Sequence, residues 1–304
     1  TLKFGKGGGN TGRSLGTDKD VTFSGGGELD NGTTFSMSTT LDDAYGMSAS
    51  TTTIATPSMG TFSLGASTGS VSYMFDEEVP TAYEQVSDGH EQMANLIGNY
   101  MDNNYVMYAA PTLELMGASV NLYAAYSPQA ADTAAGVGDG GQDTYSATVG
   151  AGKEAGVKIG YEGLTLGFYG SERDRTVPMT NTTTGQEEHD EFNGAWYATY
   201  TMGPVSIGYS ETYMDAGVTQ AVASETADLA KVARTAGGIF TGEQMSIAFN
   251  VNDNMSISYT TSDETYDTQD DAKTAATTDD DVTESIDAIQ IAYSMGGMSI
   301  KAYN

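Results

Sequence analysis

The dominant period along this chain is two. In VTFSGGGEL (21–29), Val21, Phe23, Gly25, Gly27 and Leu29 fall on one side, with Thr22, Ser24, Gly26 and Glu28 on the other. TTFSMSTTL (33–41) sets Phe35, Met37 and Leu41 against Thr34, Ser36, Ser38 and Thr40. The pattern returns in SVNLYAAY (119–126), LTLGFYG (164–170), VSIGYS (205–210), MSISYTT (255–261) and AIQIAYSM (288–295). Successive side chains of a strand point to opposite faces, so each segment predicts a strand with one apolar face and one Ser/Thr/Gly/Asn face.

The connections alternate in kind. One set is tight: Asp30-Asn31-Gly32, Pro57-Ser58-Met59-Gly60, Glu114-Leu115-Met116-Gly117, Glu162-Gly163, Met202-Gly203-Pro204, Asn252-Asp253-Asn254 and Gly296-Gly297. These are the residues that close hairpins. The other set is long, polar and acidic, covering 6–19, 70–103, 128–142, 173–192, 214–235 and 263–285, with one short exception at 43–46. Tight turns at one end and long loops at the other predict an antiparallel transmembrane β-barrel whose ends face different compartments. Two strands per tight turn give fourteen, and the opening TLKFG supplies a fifteenth. Single-chain bacterial barrels close on even numbers, so the expectation is 16 strands, the closing one lying outside these 304 residues.

A soluble β-sandwich would alternate too. Such domains run near ~100 residues, so this length would need about three of them, and neither a linker nor a repeat at that spacing is visible. The aromatics favour a membrane: Tyr45, Tyr161, Tyr169, Tyr200, Tyr209, Tyr213, Tyr259, Tyr293 and Trp196 fall toward strand ends, where interfacial girdles lie. No window holds the ~20 apolar residues of a transmembrane helix. The chain opens without a signal-peptide pattern, which is expected to have been removed.

Charge sharpens the picture. The chain carries 41 acids against 12 bases, a net charge of −29, and no cysteine. Nucleic acid is excluded as a partner, because phosphate binding needs a basic face. Disulfide and thiol chemistry are excluded outright. The only histidines, His90 and His189, sit in long loops and in no nucleophile motif. GKGGGNTG (5–12) lacks the GK[ST] of a phosphate loop. No enzyme reading survives.

The stretch YMFDEEVPTAYEQVSDGHEQMANLIGNYMDNN (73–104) holds seven carboxylates and no lysine or arginine. It interrupts the strand pattern because, on this reading, it leaves the barrel wall and folds into the lumen. Clusters of charge in a narrowed lumen set selectivity, and Asp76, Glu77, Glu78, Glu84, Asp88 and Glu91 are the candidates. No base occurs between Lys19 and Lys153. By parity Lys3, Lys158 and Lys301 point into the lumen, and Arg13 adds to them from the first loop. Lys3 and Lys301 are expected to flank the closing strand. An interior this acidic favours cations or neutral solutes over anions. Asp76, Glu77 and Glu78 also offer the oxygen ligands Ca²⁺ accepts, without EF-hand spacing; no cofactor is required.

DVTFSGGGELDNGTTFSMSTTLDD (20–43), TPSMGTFSLGAS (56–67), the acidic insertion and NNYVMYAAPTLELMGASVNLYAAYS (103–127) together resemble the general porins of Gram-negative bacteria, in their α-proteobacterial branch. The resemblance implies a sixteen-stranded water-filled barrel in the outer membrane, a homotrimer seated among lipid and lipopolysaccharide, and a third long loop folded into each lumen. It implies passive diffusion of small hydrophilic solutes and ions. Residues 1–304 are then one barrel domain, with 70–103 as the constriction. In that family the loop carboxylates face basic residues on the opposite wall; here such bases are few and the second loop is short. A surface adhesin or receptor using the barrel as its anchor is the alternative, its loops being 173–192, 214–235 and 263–285.

Overall fold

The computed structural model describes residues 2–5, 14–17, 20–42, 46–66, 68, 70–76, 78–86, 101, 104–128, 149–175, 190–215, 239–267, 282–296 and 298–303. Its strands are β1 Leu2–Gly5, β2 Ser14–Thr17, β3 Val21–Glu28, β4 Thr34–Leu41, β5 Met47–Thr56, β6 Gly60–Ala66, β7 Tyr105–Ala109, β8 Leu113–Leu115 and β9 Ala118–Ser127. They continue as β10 Val149–Tyr161, β11 Leu164–Arg175, β12 Glu191–Met202, β13 Val205–Asp215, β14 Ile239–Asn252, β15 Met255–Asp267, β16 Val282–Met295 and β17 Met298–Tyr303.

The chain is all-β. Strands β3 to β17 form one antiparallel sheet of 15 strands in sequence order, with β3 and β17 at its edges. Strands β7 and β8 share one side of β9, interrupted at Ala110-Pro111-Thr112. Pro111 has no N–H to give the ladder, and Ala110 restores the pairing by donating to the Leu122 carbonyl at 2.9 Å. The first strand departs from expectation: β1 pairs with β2, Leu2 opposite Thr17, in a separate two-stranded sheet. Among the described residues, LKFG (2–5) therefore pairs with SLGT (14–17) rather than with the wall.

Turn chemistry sets the registers. Met116-Gly117 and Glu162-Gly163 both carry positive φ at their two central residues, 53° and 87°, and 44° and 89°. That is the signature of the type I′ hairpin turn, whose twist matches that of the strands it joins.

The two faces reverse the habit of a water-soluble domain. On β14, Phe240, Gly242, Gln244 and Ser246 are buried, while Thr241, Glu243, Met245 and Ile247 are exposed. The exposed parity continues across the ladders as Tyr161, Leu164, Tyr200, Ile207, Ile247, Tyr259 and Ile289. An adjoining row runs Met202, Val205, Phe249, Ile257 and Ile291. An exposed apolar belt of this kind is what a lipid environment selects. Tyr169 is an exception among the expected girdle residues: it is 7% exposed and lies on the inner face.

Toward the long-loop end the belt gives way to charge. Glu211, Glu243 and Asp263 stand directly opposite one another on β13, β14 and β15. Like charges so placed repel. Trp196 Nε1–H donates to Glu211 at 2.9 Å, and the Tyr209 hydroxyl reaches both Glu211 at 2.6 Å and Glu243 at 2.9 Å. These bonds disperse part of the repulsion.

Candidate pore constriction

After β6 the chain leaves the sheet and turns through a short 3-10 segment, Ser72–Met74. Residues 70–86 then run across the inner face from β10 to β17. The descent is apolar on its wall side. Val71 and Phe75, both fully buried, pack with Met101 against Ala125, Tyr169, Ala195 and Tyr197. The Phe75 ring stacks on Tyr169 with centroids 5.8 Å apart and meets Tyr123 edge-on at 6.2 Å. Gly156 makes this seat, since a Cβ there would run into the Phe75 ring. Burial of a Val and a Phe contributes about 1.5–3 kcal/mol each.

A carboxylate fixes the register. Glu154, 4% exposed on β10, accepts from the Ser70 hydroxyl and from the Val71 N–H at 2.9 Å through one oxygen. Its other oxygen takes the Tyr169 hydroxyl at 2.8 Å. Two strand repeats further on, Lys158 donates to Glu78 at 3.2 Å and lies over the rings of Phe75 (5.1 Å) and Tyr197 (5.6 Å).

The segment then crosses the strands from β13 to β17. Pro80 sits over Gly208 and its carbonyl accepts from Ser246 Oγ. Ala82 N–H donates to Ser258 Oγ at 2.8 Å. Gln290 accepts from Tyr83 N–H at 3.0 Å and donates to the Glu84 carbonyl at 2.6 Å. Lys301 lies 5.1 Å from the Tyr83 ring centroid, and Val86 packs on Ile286 and Ala288. The thirteen residue steps from Ser70 to Tyr83 reach at most ~43 Å, enough to cover the ~29 Å of the six ladder steps from β10 to β16.

The facing wall is different in kind. Following the ladders from Glu154 through Ala125 and Met107 leads to Ser63, Thr53 and Ser36. The inner face of β3 and β4 pairs Thr22 with Thr40 and Ser24 with Ser38, the first pair hydroxyl to hydroxyl at 2.9 Å. Among the described residues of β3 to β6 the one charge on this face is Glu28.

The residues selected from sequence divide as follows. Glu78, Lys158, Lys301 and Glu84 come together along the segment's track, Glu84 through its backbone. Asp76 lies on the same segment, its carbonyl accepting from Gln85 at 3.3 Å. Lys3 is on β1, opposite Gly16, in a sheet that does not include β17. Glu77, Asp88, Glu91 and Arg13 lie outside the described residues. Glu78, expected with Asp76 and Glu77 to offer oxygen ligands to Ca²⁺, accepts from Lys158 through one oxygen. Among the described residues the carboxylates near enough together to share a cation are Glu172, Asp174 and Asp190, at the long-loop rim. Sequence reading missed Glu154, Ser246, Ser258 and Gln290. Parity would have placed Glu154 on the face of Lys158, four residues away.

Comparison with known proteins agrees with this architecture. A family model described as Gram-negative porin matches residues 3–237. Among solved structures, a porin refined at 1.8 Å resolution is 17% identical, with 96% of this chain and 87% of that one covered and a TM-score of 0.59. The anion-selective porin of Comamonas acidovorans is 12% identical, with 96% and 79% covered and a TM-score of 0.56. OmpT of Vibrio cholerae, an outer-membrane protein, is 12% identical, with 97% and 80% covered and a TM-score of 0.61. A search of curated proteins gives no significant match. The match over most of its length, on an antiparallel wall with an apolar exterior, shows that this chain belongs to the Gram-negative porin family and forms an outer-membrane β-barrel channel.

Proposed function

We propose that the channel is a passive diffusion pore for small hydrophilic solutes and ions, that residues 70–103 form its constriction, and that it admits cations and neutral solutes in preference to anions. The observation that carries the preference is that, among the described residues, two of the three inner-face cations are paired with carboxylates, while Lys301 lies against the Tyr83 ring. Lys158 is paired with Glu78, and Arg173 with Glu191, its Nε–H donating at 2.9 Å. A net charge of −29 is therefore left without a facing basic cluster on β3 to β6. Clefts lined by one sign of charge concentrate counterions. Residues 1–304 act as one barrel domain, and the chain assembles as a homotrimer in contact with lipid and lipopolysaccharide. The charge-free apolar exterior of β3 to β6, with Phe23, Phe35, Ile54, Phe62 and Leu64 exposed, supports a subunit contact there. The reading requires no cofactor, and Ca²⁺ at Asp76, Glu77 and Glu78 would compete with Lys158.

The test is the reversal potential in a planar bilayer under a KCl gradient. Wild-type protein should give stepwise conductance and a cation-selective potential. Glu78→Gln removes one carboxylate and releases the Lys158 charge. A unit charge at ~4 Å is worth about 1 kcal/mol in water, so local cation occupancy should fall roughly fivefold. The potential should move toward anion selectivity, and Lys158→Met should move it the other way. An anion-selective wild type would overturn the preference; absence of conductance would favour the anchored-receptor reading.

A further inference from the structure

We propose that Gln290 is a latch that holds the inserted segment against the wall by its backbone, and so sets the working width of the pore. The proposal rests on reading 70–103 as the constriction. Side chains on three adjacent strands do for this segment what a neighbouring strand would do. Ser246 on β14 takes the Pro80 carbonyl, Ser258 on β15 takes the Ala82 N–H, and Gln290 on β16 takes both the Tyr83 N–H and the Glu84 carbonyl. Gln290 alone offers an acceptor and a donor in the spacing of a peptide group, the property that lets an amide side chain close a backbone pair. It is 1% exposed, and the Ser258 hydroxyl steadies it from 3.4 Å.

Two consequences distinguish this arrangement from simple packing. The grip is on backbone atoms, so the charge of the Glu84 side chain can change without breaking it. The latch also lies far along the segment from Glu154, so losing it frees the distal part while the base stays fixed. Unpaired backbone groups left in a dry interface are strongly disfavoured. The freed part should therefore move into the lumen water rather than stay in place.

The experiment compares wild type, Gln290→Leu, Ser258→Ala and Glu84→Gln in single-channel recordings of the whole chain. Gln290→Leu should depart from the main open level roughly 5–30-fold more often, the factor expected for losing a pair of buried bonds. Ser258→Ala should show a smaller increase, and Glu84→Gln should alter ion preference but not the open-level statistics. A purely structural role would also lower the barrel's resistance to heat in detergent, which should be unchanged. Because the protein has no cysteine, Glu84→Cys with Gln290→Cys allows a short thiol cross-linker to restore the quiet open level. Gln290→Leu and Ser258→Ala recordings that match wild type would overturn the latch while leaving the pore intact. A wild-type protein that does not conduct would overturn the pore reading first. If Gln290→Leu does not insert, the Ser258→Ala and cross-linked variants decide.

Discussion

Glu154→Ala should open the pore. The carboxylate accepts the Val71 N–H, the Ser70 hydroxyl and the Tyr169 hydroxyl in an interface that excludes water. A donor left buried and unpaired costs about 1–3 kcal/mol. Three such donors offset the about 3–6 kcal/mol that burial of Val71 and Phe75 contributes. The base of the segment should then leave the wall for a sizeable fraction of the time. Single-channel conductance should rise, cation preference should weaken, and residues 70–86 should become sensitive to protease in detergent. Glu154→Gln is the informative control. Its oxygen can keep the Val71 N–H and Ser70 hydroxyl, while its NH₂ donates to the Tyr169 hydroxyl, which can rotate to accept. Conductance of Glu154→Gln should stay near wild type. If it rises as far as that of Glu154→Ala, negative charge rather than hydrogen bonding holds the segment, and the account of this anchor is wrong.

How much of this could be read from the residues alone follows from the range of each interaction. Strand parity and turn residues are local, so β3 to β6 and β9 to β17 follow from the alternation and from turns such as Glu162-Gly163. Lys158 and Lys301 were placed on the inner face by parity, and the structure puts both beside the inserted segment. What failed were features that depend on partners far along the chain. Glu154 and Ser70 are 84 residues apart, and Tyr83 and Gln290 are 207 apart. No spacing rule links them, and Gln290 reads as one more polar residue on an alternating strand. The pairing of β1 with β2 is not legible because SLGT (14–17) is too short to show a period. The ladder break at Pro111 is one residue inside a stretch that alternates on both sides of it. The outward carboxylates Glu211, Glu243 and Asp263 contradict the simple rule that strand interiors lack charge. Only the ladder registers show that they form one row, with Trp196 and Tyr209 beside them.

Gly208→Val and Gly156→Val should have the opposite effect from Glu154→Ala and narrow the pore. At Gly208 a Cβ would strike Pro80 and come within 3.3 Å of the Val79 Cα. A proline ring cannot rotate aside, so the segment as a whole must shift. At Gly156 the obstacle is the Phe75 ring, with Val71 Cγ1 at 3.0 Å. Phe75 is fully buried among Tyr123, Tyr169 and Tyr197. Valine is at home on a strand, where propensities differ by ~1 kcal/mol, so the wall itself should not suffer. Overpacking of this kind costs about 1–3 kcal/mol, less than the combined hydrogen bonds and apolar burial that hold the segment. It should therefore remain attached, displaced by about the width of the added side chain toward the hydroxyl-lined wall of β3 to β6. The free cross-section lies on that side, so conductance should fall and larger neutral solutes should be excluded first in liposome-swelling assays. Gly208→Val should act more strongly than Gly156→Val, because its clash is with a proline ring that is fixed to the backbone. A rise in conductance would mean that the segment detaches before it yields, which would place its attachment energy below the overpacking cost.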